Sequence, residues 1–160
     1  MAVPLGVQEF LRQANIAYTI FPHDPAYTAQ EEAALAQIPG RGRYWAKTVV
    51  CFADGEPVQA VVPADRVVNL ERLLPIAGSS AMRLARDEEL DWLYPECERG
   101  AMPPFGPLFR QRVFVDATLA AVREVVFNAG THVDAVCLSY ADFAMLTDAV
   151  VGSFSERRPS

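Results

Sequence analysis

The sequence predicts a mixed α/β domain, with short strands interleaved with short helices around one sheet. Asp54-Gly55 lies between two runs rich in β-branched residues, 45–53 and 58–62, which marks a two-residue hairpin and excludes a wholly parallel sheet. Further strand-like runs at 113–115, 125–127 and 136–138 alternate with helical stretches. The chain has 160 residues, 51% apolar and 21% charged, enough for one core of ordinary globular composition without disulfide support.

In chain order, Val7, Phe10 and Leu11 open a first helix that ends near Asn15, and residues 16–21 alternate enough to form a strand. Thr28 and Glu31 have the spacing of a capping box for an Ala- and Glu-rich helix that Pro39-Gly40 stops. The two hairpin arms are expected as central strands. A helix at about 68–74 follows, then a short strand at 82–85 and a helix at 87–93, whose first-turn acids Asp87, Glu88 and Glu89 suit the helix dipole. After a loop holding Gly100 and Pro103-Pro104 come the strand 113–115, a short helical piece, the strands 125–127 and 136–138, and a helix from Tyr140. No repeat or long linker interrupts this order, so residues 1–152 read as one domain, followed by a short polar tail at 153–160.

Several function classes are disfavoured. No apolar run is long enough to span a bilayer, and the first residues lack the basic start and long apolar stretch of a leader, so a cytoplasmic protein without a membrane partner is expected. Cys51, Cys97 and Cys137 are far apart, and with only two histidines there is no metal-ligand spacing; reduced structural thiols, no metal and no cofactor are expected. A net charge of −6 argues against a strongly basic nucleic-acid binder, and DNA is not an expected partner. Acid-free stretches carry Arg41, Arg43 and Lys47, and again Arg99, Arg110 and Arg112, which could form local patches for phosphates. The stretch from Arg72 to Arg86 is similarly acid-free without any other motif.

The candidate chemistry sits in three segments. Lys47 is the only lysine among fourteen basic side chains, in the middle of an apolar run, where a compact ammonium differs from a planar guanidinium; a solvated side chain on an edge strand is the competing reading. Gly100-Ala-Met-Pro-Pro-Phe-Gly106 is a stiff loop. Because Pro103 and Pro104 have no N–H, any amides it offers an oxyanion or phosphate come from Gly100, Ala101, Met102, Phe105 or Gly106. Phe127-Asn128-Ala-Gly130-Thr-His132 ends a strand in a glycine turn and sets His132 at its mouth as a general base, an orienting group or a surface residue. His23, between Pro22 and Asp24-Pro25, is a weaker candidate in a turn. No Gly-x-Ser-x-Gly or other nucleophile motif is present.

Ala46-Lys47-Thr48-Val-Val, the Gly100 loop and the Gly130-Thr-His132 turn, in this order, resemble the YbaK-like proteins and the editing domain inserted in bacterial prolyl-tRNA synthetases. That resemblance implies a mixed, largely antiparallel sheet flanked by short helices. It also implies hydrolysis of the ester joining an amino acid to the terminal adenosine of tRNA. Lys47, Gly100 and His132 correspond to the catalytic elements of that family. Ala101, Met102, Pro103 and Pro104 fall in that family's Gly-x-x-x-Pro loop, and these with Thr48, Phe105, Asn128, Gly130 and His23 are the residues expected to line the substrate site. Thr48 stands where several relatives have an asparagine that helps select small amino acids. The implied partner is the acceptor end of a mischarged tRNA, a small amino acid on a proline tRNA or a related one, with a synthetase as a further partner. An aminoacyl ester is already activated, so water held beside it and an oxyanion site suffice, and no protein nucleophile is needed. The resemblance further implies that the substrate's own 2′-hydroxyl assists, with Lys47 anchoring the terminal nucleotide and His132 lining the amino-acid pocket. The rival readings are a non-catalytic module that binds tRNA ends or a synthetase, and a hydrolase of another small activated ester.

Overall fold

Asp54 and Gly55 both have positive φ, 50° and 86°, the pair that a type I′ turn requires, and they join β3 (Arg43–Ala53) to β4 (Glu56–Pro63) in the expected hairpin. The computed structural model describes residues 3–22, 37–38 and 43–157. His23, the capping box at Thr28 and Glu31, and Pro39-Gly40 lie outside the described residues.

The chain begins with α1 (Leu5–Ala14), which buries Val7 and Leu11, one turn apart on one face, and closes on Asn15 in the left-handed conformation. β1 (Tyr18–Pro22) and the two-residue β2 (Gln37–Ile38) precede the hairpin. After β4 come β5 (Arg66–Val68), α2 (Leu70–Ala77), β6 (Met82–Leu84) and α3 (Asp87–Leu93). A 3₁₀ turn at Gly106–Phe109 leads to β7 (Arg112–Asp116), α4 (Ala117–Ala120), β8 (Glu124–Asn128), β9 (Asp134–Ser139), α5 (Tyr140–Thr147), β10 (Val150–Gly152) and β11 (Ser155–Arg157).

The main sheet runs β1-β9-β8-β3-β4-β7-β10, with β2 and β6 both pairing β3 and a separate β11-β5 pair. β8 lies parallel to β3, and β4, β7 and β10 lie parallel to one another, while the remaining pairings are antiparallel; the sheet is mixed with antiparallel pairs in the majority. Both hairpin arms are central, as expected.

Strand alternation divides the core. One face carries Ala46, Val61, Val113, Val115, Val125, Phe127 and Val136 under Val7 and Leu11 of α1 and Phe143 of α5. The opposite face carries Cys51, Val58, Ala60, Val62 and Phe114 under Leu73 and Ala77 of α2, with Phe154. Each Val, Leu or Phe among them contributes roughly 1.5–3 kcal/mol when taken from water.

Two assignments differ from expectation. Val68 ends β5, where it pairs with Ser155, and the helix starts after Asn69, whose side chain caps the Arg72 amide at 3.1 Å. The polar stretch after Gly152 is also packed: Phe154 is fully buried, and the Phe154 and Ser155 amides donate to Asp116 Oδ1 at 3.0 and 2.9 Å. Burial pushes the Asp116 carboxyl up, but hydrogen bonds from Thr118, Phe154 and Ser155 outweigh it and hold it below the usual range.

Candidate functional site

On one edge of β3, β8 pairs Arg43, Tyr44 and Trp45, and β6 pairs Cys51, Phe52 and Ala53; among the described residues no strand fills that edge in between. Lys47 and Thr48 occupy the gap. Lys47 is half-buried on a strand that is central to the sheet, opposite Val62, but at this residue the other side of that strand is open among the described residues, so it is neither a fully solvated side chain nor one enclosed by strands on both sides. Alternation sends its side chain to the α2 face with Trp45 and Val49, whereas Thr48 faces the other way, with Ala46 and Val50. Thr48 is buried, and its Oγ1 meets no hydrogen-bonding group among the described residues.

The loop after α3 and the turn after β8 clasp each other. The Glu98 amide donates to Gly130 O at 2.8 Å, and the Gly130 amide to Ala101 O at 2.8 Å. The His132 amide donates to Glu98 Oε1 at 2.6 Å, and its Nε2 lies 2.5 Å from Arg99 O. A carbonyl oxygen only accepts, so Nε2 carries the proton in that bond and Nδ1 is the basic nitrogen of the neutral ring. His132 is therefore a buried, oriented group and not a surface residue. Gly100, with φ +81°, lies against this ring: a Cβ there would stand 3.4 Å from Cε1. Gly130, with φ +100°, meets Pro4, where an added Cβ would be 2.5 Å from Cδ.

Within the loop, the Ala101 amide is spent on Glu98 O at 3.0 Å and the Phe105 amide on Pro103 O at 2.8 Å, which removes two of the five expected donors. Gly106 is wedged, its Cβ direction meeting Gln111 O at 2.3 Å and Val113 Cγ2 at 2.4 Å. Among the described residues no acceptor meets the amides of Gly100 and Met102. The Met102 side chain packs on Val50 and Tyr94, and the Phe105 ring is fully buried, edge-on to Phe127 at 5.2 Å. Both side chains therefore anchor the loop to the protein and leave only backbone to a ligand. Pro103 and Pro104 are buried, and Asn128 is half-buried where β8 ends, in register with Ala135.

The expected phosphate patch is weakened. Arg99 turns to Asp91 in a two-pronged pair at 2.9 and 2.6 Å, and Arg112 donates to Ala77 O at 3.1 Å and stacks on Phe114. Burial pushes the Cys51 thiol up to about 12 and Cys97 up to about 11, so neither is a thiolate nucleophile at neutral pH. Among the described residues no three His, Cys, Asp or Glu side chains gather to hold a metal ion.

Sequence reasoning missed Glu98, which fastens the histidine turn, and Gln59, whose Nε2 donates to Pro103 O at 3.1 Å from beneath the loop. A polar residue inside the apolar run of β4 was the available signal for Gln59.

Residues 23–146 match a family model described as the aminoacyl-tRNA editing domain. A proline–tRNA ligase of Nitratidesulfovibrio vulgaris is 31% identical over 146 residues, covering 85% of this chain and 25% of that protein, so the chain spans about a quarter of this relative's length. The prolyl-tRNA editing protein ProX of Acetoanaerobium sticklandii is 26% identical over 151 residues, covering 90% of each chain. Two crystal structures share the fold. One is of the hypothetical protein APE2540 (TM-score 0.78, 24% identity, 94% of this chain and 99% of that one). The other is of a candidate trans-editing enzyme for prolyl tRNA synthetase (TM-score 0.75, 20% identity, 97% and 99%). The chain belongs to the aminoacyl-tRNA editing domain family.

Proposed function

We propose that this protein is a deacylase that hydrolyses, in trans, the ester between a wrong amino acid and the terminal ribose of a tRNA. The observation that carries the reading is the clasp of the Gly100 loop on the His132 turn, which leaves the Gly100 and Met102 amides without a protein acceptor beside a glycine surface. Those two N–H groups suit the oxyanion that forms when water attacks the ester carbonyl. One such donor lowers a barrier by about 3 kcal/mol when it is already aimed. His132, whose Nε2 is given to Arg99 O, serves as a fixed wall of the amino-acid pocket, and the substrate's 2′-hydroxyl acts as the acid–base group.

Thr48 faces the loop's side of the sheet, and its buried hydroxyl, without a partner among the described residues, suits a hydrogen bond to an amino acid that seats against it. Lys47 lies on the other face of the same open edge, where its ammonium suits the phosphate or ribose of the terminal nucleotide. The family and the names of the two prolyl relatives support a small amino acid on a proline tRNA as the substrate. With a net charge of −6 and Arg99 and Arg112 held by groups of the protein, binding is expected to rest on the acceptor end and to weaken only shallowly with salt.

The test is a panel of tRNAs mischarged with small amino acids. Rapid deacylation of one or a few, with the correctly charged tRNA spared, is the expected result. Binding of tRNA without hydrolysis of any member, or hydrolysis of free aminoacyl nucleotides as fast as aminoacyl-tRNA, would overturn the reading.

A further inference from the structure

A chain of buried polar side chains runs beneath the Gly100 loop. Gln59 of β4 is fully buried; its Nε2 donates to Pro103 O at 3.1 Å and to Tyr94 Oη at 3.3 Å. Tyr94, just past α3, donates its hydroxyl hydrogen to Gln111 Oε1, and the backbone N–H of Gln111 donates to Gly106 O at 2.9 Å. The direction of each bond follows from what the atoms can do. Pro103 O only accepts, so Gln59 presents its NH₂ there, and the single proton of Tyr94 goes to Gln111, so Tyr94 Oη accepts from Gln59. Burial pushes the phenol up to about 12, so it keeps that proton at neutral pH.

The placement matters because Pro103 and Pro104 have no N–H, so this part of the loop can be held only through carbonyl oxygens and packing. Besides the Phe105 amide within the loop itself, Gln59 supplies Pro103 O with a donor from the sheet, and Met102 packs on Tyr94 itself. The neighbours of Gln59 on the same sheet face, Val50 and Val61, are apolar, and the Gln59 Oε1 meets no partner among the described residues. A buried amide with one unmet oxygen costs more than an apolar residue would, so packing alone does not account for it.

We infer that Gln59, acting with Tyr94 and Gln111, is a positioning residue that fixes the Pro103 carbonyl and thereby the direction in which the Gly100 and Met102 amides face the substrate. Its catalytic consequence rests on the deacylase reading; its hold on the loop does not.

Gln59→Met, Gln59→Glu and Tyr94→Phe test this by hydrogen exchange of residues 100–106 and by steady-state deacylation. In Gln59→Met, exchange in the loop is expected to quicken by about tenfold while the central strands stay protected. In the same variant kcat is expected to fall by roughly 10- to 100-fold with KM nearly unchanged. Gln59→Glu has the same shape but only accepts when ionised, so its rate relative to the parent rises as pH falls and its carboxyl regains a hydrogen to donate. Tyr94→Phe, which keeps the Gln59–Pro103 bond, loses less. Unchanged loop exchange in Gln59→Met, or faster exchange with unchanged kcat, overturns the inference. If Gln59→Met does not fold, a flat relative pH profile in Gln59→Glu overturns it. A parent protein that deacylates nothing defeats the deacylase reading alone, and loop exchange still decides whether Gln59 holds the loop.

Discussion

The hairpin turn at Asp54-Gly55 and the clasped loops at Gly100 and Gly130 all use glycine at positive φ, for different reasons. Gly55 has φ +86°, is exposed, and an added Cβ would meet nothing within 4 Å. Gly100 and Gly130 have φ +81° and +100°, and an added Cβ would meet His132 in one case and Pro4 in the other. At the hairpin, glycine answers only to its own backbone. In the site it answers also to another segment of chain. A left-handed glycine therefore says little by itself, and what stands opposite its missing side chain separates a free turn from one that another segment of the chain packs against.

The variant that breaks this contrast hardest is Gly100→Val, in which a β-branched side chain is forced into a left-handed residue against the His132 ring. Deacylation is expected to fall by about a thousandfold, the scale of losing aimed oxyanion donors, while circular dichroism stays that of the folded protein. Undiminished turnover would reduce the loop to a connector. Replacing the terminal ribose of the tRNA by its 2′-deoxy form is expected to slow the reaction by about a hundredfold. Equal rates would make the protein the source of the base, with His132 the first suspect.

Gly130→Ala sharpens the contrast from the other side, since Pro4 must retreat from the new methyl. A loss of roughly 2 kcal/mol in unfolding free energy is expected from strain and overpacking, and a thermal midpoint equal to the parent's would show that the amino-terminal segment yields freely. Lys47→Arg is expected to cost about tenfold in kcat/KM through its wider, planar head group. Because Lys47 is the only lysine, reductive methylation followed by mass spectrometry reports it directly, and an aminoacyl-adenosine analogue should protect it. The smallest effect belongs to Gly55→Ala: about 1 kcal/mol of stability from the left-handed backbone, with kcat unchanged. A fall in kcat there would mean that hairpin and site are not separable.

What could be read from the sequence was what local chemistry decides. The Asp54-Gly55 turn and α3 with its acidic first turn stand where their residues place them, and Asn15 closes α1. Val68 and the stretch after Gly152 went astray for one reason: each belongs to a strand only because the other is there to pair with it, and that pairing joins distant parts of the chain. In the site, the glycine loop and the histidine turn were visible as motifs, and the structure brings them into contact. Glu98 and Gln59 were not, because a carboxylate that holds a distant amide, or an amide that holds a distant proline carbonyl, has no local pattern. The placement of Lys47 on the face opposite Thr48 was implicit in strand alternation but gains meaning only from the gap in pairing along β3.

That gap also orders events in time. The β3–β4 hairpin closes across two residues and can form within microseconds of those residues being free to meet. The parallel pairing of Trp45 with Val126, and the seating of Gly130 against Ala101, must wait for a much later stretch of chain to return to the middle of the sheet. A molecule in which β8 has come away from β3 therefore lacks the clasp around Gly100 even where the Asp54-Gly55 turn is still closed, so the proposed site depends on the longest-range pairing of β3 and not on its hairpin.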